Sequence, residues 1–221
     1  KLTMQRAGSS QIALDLSGRL LEDLPVELQV TGNQDTFYFV SFHQDPEISE
    51  ITSNPDFVSA VRASMDYAGI AALFGEEAQP AAGMVPTAYA GTLPAEEAQV
   101  QDLDAAAAFL ADSGIEDPTV SLMYPAITYQ GVDLGTIATK IQNDAAQAGI
   151  TIELDPQPIA SFLEAQSEGR VPFRFSPQSL NYPVAASLVN NFAPGQASAM
   201  RVAWSEELAS AEMIAAGDAV L

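Results

Sequence analysis

Catalytic chemistry has little to work with in this chain. It carries one histidine, His43, and no cysteine, beside 29 acidic and 8 basic residues. Acyl transfer needs a nucleophile, a base and an orienting acid within hydrogen-bond reach. His43 is the only base of the usual kind, and no Gly-x-Ser-x-Gly elbow occurs. His43 itself stands in a polar loop beside a strand and reads as an ordinary surface residue. A metal would have only a carboxylate cage, and the acids are scattered over helix faces rather than set at calcium-loop spacing. The glycine runs GSSQ (8–11) and GVDLG (131–135) match neither dinucleotide nor P-loop spacing. Neither a metal nor a cofactor is expected. Paired-carboxylate glycosidase chemistry stays open on composition, but nothing places two acids across a cleft.

What does collect is a set of side chains suited to holding a small polar solute: Tyr124, Tyr129, Ser176, Gln178, Asn181 and Tyr182. They combine flat apolar faces with hydroxyl and amide groups, the mixture that binds by stacking and hydrogen bonding. A blander reading stands beside this one. Tyr124 and Tyr182 would pack against a sheet edge, and Pro125 and Pro177 would merely end strands.

The elements that must position these residues run from 119 to 177. TVSLMY (119–124) is a strand, and Asp133 announces a helix with Ile137, Ile141, Ala145 and Ala148 on one apolar stripe. Gly149 supplies the left-handed stop and Ile150 the apolar residue that follows it. ITIEL (150–154) is a β-branched strand, interrupted by Pro156 and Pro158 before a second helix through Phe162 and Leu163, closed by Gly169. VPFRF (171–175) is the next strand. Strand–helix–strand–helix–strand at this spacing implies parallel strands with crossover helices. Ligands of such sheets gather outside the carboxyl ends of the strands. Those ends are 124–129, 155–158 and 176–182, where the six candidates sit.

Earlier in the chain, LLEDL (20–24) predicts a short helix, and VELQV (26–30) and TFYFVSF (36–42) predict strands around a Gly32-Asn33 turn. The stretch 43–56 is a polar loop, after which Asn54 or Asp56 caps one helix running to Gly75 with Phe57, Val61, Met65 and Ala68 on a face. Residues 76–94 form an irregular loop, and Asp102 caps an alanine-rich helix stopped by Gly114. A helix and loop over 182–195 and a terminal helix capped by Ser205 complete the chain, with no internal repeat.

At 221 residues with 48 % apolar content the chain is long enough for its own core. Its formal charge of −21 repels phosphate backbones and anionic membrane surfaces, so nucleic acid is not an expected partner. Absence of cysteine excludes a disulfide framework and a thiolate site. No apolar run reaches bilayer length. The opening KLTMQRAGSS carries no initiator Met or leader pattern, which suggests a processed or excised piece.

The run from Gly135 to Phe173 resembles the extracytoplasmic solute-binding proteins of peptide, dipeptide and nickel ABC importers. That family's Gln-x-Asp-x-x-x-x-Gly-Ile/Val phrase stands here as Gln142, Asp144, Gly149 and Ile150, with Ala145 at its usual Leu. An earlier family helix is matched by Ala60, Asp66, Tyr67 and Ile70, with Val58 in place of the usual Arg. Another phrase is matched by Asp102, Ala106, Phe109, Leu110 and Gly114, with Leu103 where Pro is usual. The resemblance spans roughly 25–215. It implies an α/β fold with a mixed sheet flanked by helices, one lobe of a two-lobed binding protein, with 1–25 ending the preceding lobe and 26–221 forming the ligand-binding lobe. It further implies a small peptide or other polar solute as ligand, an ABC permease as partner, an extracytoplasmic place (periplasm or cell-surface lipoprotein), a monomer and no catalysis. Gly83 and Pro86 would line one cleft wall. The family's Gly-Trp-x-x-Asp-Tyr-Pro-Asp-Pro segment keeps Tyr182 and Pro183, but has Gln178 at the Trp, Asn181 at the first Asp and Val184 at the second. Its first Asp pairs with a peptide ammonium, so the resemblance implies recognition at Asn181 that is neutral rather than ionic. An unrelated α/β enzyme or interaction module is the rival reading, since fold does not fix function.

Overall fold

The computed structural model describes residues 25, 36–75, 78–86, 89–179 and 184–219. The predicted strand at 26–30 and the short helix at 20–24 lie outside these residues. The chain enters along β1 (Thr36–Phe42), the strand expected from TFYFVSF. Helix α1 (Pro55–Ser64) follows, with Pro55 at its first position and the Asn54 side chain accepting from the amides of Asp56 and Phe57.

The single helix expected to reach Gly75 is two helices. Met65 is extended and α2 (Tyr67–Ala72) starts afresh, with the Asp66 side chain accepting from the Gly69 amide. The break has a local cause. The Asp66 amide donates to Asp144 Oδ2 at 3.1 Å instead of continuing the helix ladder. Lys140 Nζ then reaches Asp66 Oδ2 at 2.9 Å and Asp144 Oδ1 at 2.6 Å. Phe57, Val61 and Met65 are buried as expected, whereas Ala68, beyond the break, is exposed.

Helix α3 (Leu103–Ser113) has Asp102 as its cap and ends at Gly114, whose φ of 68° needs glycine. Then come β2 (Thr119–Pro125), a hairpin of β3 (Thr128–Tyr129) and β4 (Val132–Asp133), and α4 (Leu134–Gln147), capped by Asp133. The strand β5 (Thr151–Gln157), the helix α5 (Ile159–Ser167) and the strand β6 (Phe173–Ser179) complete the predicted alternation. The chain closes with α6 (Ala185–Phe192), α7 (Ala197–Met200) and α8 (Ala211–Asp218). Ser210, not Ser205, caps the last of these, by accepting from the Met213 amide; Ser205 precedes only a 3₁₀ turn.

Among the described residues the main sheet has four strands in the order β1-β6-β2-β5. Strand β2 is parallel to both β5 and β6, and β1 is antiparallel to β6. The sheet is therefore mixed and flanked by helices. Two of the proline breaks predicted from sequence are absent. Pro156 lies within β5 opposite Tyr124, and Pro177 within β6 opposite Tyr38. Among the described residues β5 is an edge and β6 meets β2 only at Phe173 and Arg174, so each proline sits where no described strand pairs on one side of the ladder.

Alternation along the strands divides the packing. One face joins Val120, Leu122, Ile152, Phe173 and Phe175 to Phe57, Val61, Leu134, Ile137 and Ile141 in one core. The other turns Phe37 and Phe39 toward Phe192 of α6, with Phe162 and Leu188 also buried.

Candidate functional site

The carboxyl end of β6 pairs with the start of β1, and the β3–β4 hairpin that follows β2 folds over this junction. Gln130 and Gly131 form the hairpin's two-residue turn, both with positive φ, 49° and 84°. Gln130 is thus a non-glycine residue in the left-handed region, a conformation that persists only where surrounding contacts hold it. Its Nε2 donates to Thr36 Oγ1 at 2.9 Å and its Oε1 accepts from the Tyr38 hydroxyl at 3.5 Å. Thr36 Oγ1 lies 3.0 Å from Ser179 Oγ, which lies 2.8 Å from the Tyr129 hydroxyl. A chain of side-chain hydrogen bonds therefore ties the hairpin tip to the first residue of β1 and the last of β6.

Tyr38 anchors that chain from below, its ring 4.4 Å from Phe74 and 6.2 Å from Tyr129. Burial, and then the neighbouring Tyr129, pushes its hydroxyl well above the ordinary tyrosine range, so it stays a neutral donor. Tyr124 is 6 % exposed and lies inside β2 rather than beyond it. Its hydroxyl faces the start of α4: a Cβ built on Gly135 would meet Asp133 Oδ1 at 2.8 Å and the Tyr124 hydroxyl at 3.4 Å. Burial raises the Tyr124 hydroxyl first, with Asp133 and Asp155 adding to the effect. This end of the sheet therefore presents hydroxyls and amides together with the carboxylates of Asp133 and Asp155.

The six predicted contacts are not all brought together. Tyr124 and Tyr129 lie on the α4 side of the sheet. Ser176 and Gln178 lie within β6, not past its end, and alternation turns them to the opposite face. Ser176 is buried, its Oγ donating to the Pro177 carbonyl, while Gln178 Nε2 donates to the Ser179 carbonyl. Asn181 and Tyr182 lie outside the described residues. The sequence reading missed Thr36, Tyr38, Gln130 and Ser179. Gln130-Gly131 between two short apolar-containing pairs was the available hairpin signal.

His43 is not a surface residue. It is 3 % exposed, with Nδ1 accepting from the Asp45 amide at 3.2 Å and Nε2 donating to the Gly169 carbonyl at 2.8 Å. Through those partners the ring joins the end of β1 to the end of α5. Among the described residues no group of three or more His, Cys, Asp or Glu is arranged to hold a metal ion.

A family model for bacterial extracellular solute-binding proteins, family 5, matches residues 3–199. No curated protein matches the chain. Among solved structures, the ABC transporter substrate-binding protein CtaP of Listeria monocytogenes superposes with a TM-score of 0.71 at 14 % identity, over 87 % of this chain and 39 % of that one. Listeria monocytogenes OppA bound to peptide gives 0.69 at 16 % identity, over 93 % and 43 %. The binding protein AgaA of A. tumefaciens R10, in complex with agropinic acid, gives 0.64 at 21 % identity, over 85 % and 41 %. At such identities the likeness establishes the fold. The chain spans about two fifths of the length of each of these structures.

Proposed function

The chain belongs to the bacterial extracellular solute-binding proteins of family 5, and on that premise we propose that it is one ligand-binding lobe of an ABC importer's capture component. Residues 26–221 form the lobe and 1–25 end the preceding one. The whole protein closes about a hinge on a small peptide or similar polar solute and delivers it to an ABC permease, with no chemistry performed on the solute. It works outside the cytoplasm, in the periplasm or as a cell-surface lipoprotein. The observation that carries this reading is the family match over residues 3–199.

The solute meets the carboxyl end of the sheet, where Tyr124, Tyr129, Ser176, Gln178, Asn181 and Tyr182 are the candidate contacts. The hydrogen-bond chain through Ser179 and Gln130 supports this placement, because it holds neutral donors and acceptors at that end. Recognition at Asn181 is neutral: an amide offers one acceptor and two donors, with no charge for a ligand ammonium. Losing a charge-assisted bond weakens an amine ligand by about 1.5–3 kcal/mol. The preferred solute therefore has no obligatory free ammonium at this point.

The test uses protein carrying both lobes, titrated with free-amine peptides, N-acetylated peptides and a neutral oligosaccharide at two salt concentrations. Asn181→Asp should weaken the native solute and improve free-amine peptides by about tenfold or more. If the native solute is an unblocked peptide whose affinity is untouched by Asn181→Ala, this site assignment is wrong.

A further inference from the structure

Five basic residues fall within the described part of the chain: Arg62, Lys140, Arg170, Arg174 and Arg201. Lys140 pairs with Asp66 and Asp144, and Arg170 with Glu168. Arg174 and Arg201 do something else. Arg174 is 1 % exposed, the largest fully buried side chain of the fold. Its Nε donates to Ser41 Oγ at 2.7 Å. With its amide oriented to face them, Gln166 Oε1 accepts from Nη1 of Arg174 and from Nη1 of Arg201, each at 3.0 Å.

Two cations thus converge on one neutral oxygen, and among the described residues no carboxylate lies within ion-pair distance of either. Burial and the Arg201 charge together pull the Arg174 guanidinium down to about 10. Burying a charge is costly unless an opposite charge or a full set of acceptors offsets it. Helix-end carbonyls close to the pair are already engaged. The Gly169 carbonyl takes the His43 ring, the Ala199 carbonyl takes the Val202 and Trp204 amides, and the Met200 carbonyl takes the Ala203 amide. In a chain with 29 acids, an unneutralised pair of guanidiniums is a local positive spot on a negative molecule.

We propose that Arg201, with Arg174 behind it, is a binding site for a carboxylate at the amino end of β6. Arg201 is exposed and makes the contact, while Arg174 is enclosed and contributes charge through Gln166. A planar carboxylate fits the guanidinium fork with two parallel hydrogen bonds. A dianion such as phosphate fits less well, because the net charge of −21 repels it more strongly. The pair lies away from the hydrogen-bonded end of the sheet: Arg174 and Ser179 are on one strand, roughly 17 Å apart at about 3.3 Å per residue.

The experiment follows the arginine Nε–Hε signals of the ¹⁵N-labelled chain by NMR during titration with sodium acetate at constant ionic strength. Arg201 and Arg174 should move together along one saturating curve, with Arg62 and Arg170 drifting linearly as internal controls. Arg201→Gln, a change at an exposed position, should weaken the Arg174 response about tenfold or more. It should also abolish the rise in unfolding midpoint that acetate gives over chloride. The proposal is overturned if all four arginines respond alike, if Arg201→Gln leaves the Arg174 response intact, or if phosphate saturates the pair more tightly than acetate. Repeating the titration on protein with both lobes identifies the source. Signals that respond as in the chain assign a free carboxylate, and signals already at the acetate-saturated position assign a carboxylate from the rest of the protein.

Discussion

Replacing Asp144 with alanine should cost about 3 kcal/mol of stability. The side chain is 2 % exposed and accepts from the Asp66 amide at 3.1 Å and from Lys140 Nζ at 2.6 Å. A hydrogen bond to a charged group contributes about 1.5–3 kcal/mol, and the amide left behind loses its acceptor at a helix break. Lys140 keeps Asp66, but that carboxylate is 36 % exposed, so the remaining ion pair is screened and contributes only about 0–1 kcal/mol. With a denaturant slope of about 2 kcal/mol per molar, the urea midpoint should fall by about 1.5 M. Urea unfolding followed by circular dichroism reads this directly. Asp144→Asn retains one acceptor for the Asp66 amide and should lose about half as much. Amide exchange at Asp66 should accelerate in the alanine variant and not in the asparagine variant. A loss below about 1 kcal/mol, or an Asp66 amide that exchanges at the wild-type rate in Asp144→Ala, would refute the claim that Asp144 sets the break between α1 and α2.

Three further outcomes follow from local geometry. Gly135→Ala forces a Cβ to within 2.8 Å of Asp133 Oδ1, and the strain should cost about 1–3 kcal/mol in the same unfolding assay. Gln130→Ala should lose about 1–2 kcal/mol, whereas Gln130→Gly, which accepts the left-handed turn, should stay within about 0.5 kcal/mol of the parent. Acid should weaken the fold through Asp66, whose folded pKa is lowered by the Gly69 amide and then by Lys140. That contribution is present above its unfolded value of about 4 and is lost as pH falls through the lower folded value, so Lys140→Met should flatten the acid limb of the stability profile. At the alkaline end the sign reverses. Burial opposes the Lys140 charge, but its bonds to Asp144 and Asp66 outweigh that and raise its pKa, so its contribution is full below about 10.4 and disappears as pH rises through the folded value.

Most of the layer was legible because its signals are local and agree with one another. Asp133, the stripe through Ile137 and Ile141, and Gly149 mark both ends and the buried face of α4 without reference to the rest of the chain. The errors fall where a distant partner decides. The break at Met65-Asp66 depends on Asp144, 78 residues away, which takes the amide a continuous helix would have used. Pro156 and Pro177 looked like strand ends because their neighbours in the sheet were unknown; an edge strand and an open ladder side absorb them. His43 looked exposed because its acceptor, the Gly169 carbonyl, lies 126 residues away. The hydrogen-bonded end of the sheet was half legible. Tyr129 stands out in the sequence by its place after β2, but its hydrogen-bond partner Ser179 and the Gln130 turn depend on β1 pairing with β6.

The central claim is that this lobe supplies one wall of a solute site and needs a second lobe to complete it. Calorimetry with the same solute panel, applied in parallel to the 221-residue chain and to protein carrying both lobes, tests it most directly. The account predicts micromolar or tighter binding, about −8 kcal/mol or better, for the two-lobed protein, and nothing tighter than about millimolar, about −4 kcal/mol, for this chain alone. Micromolar binding by the isolated chain would contradict it.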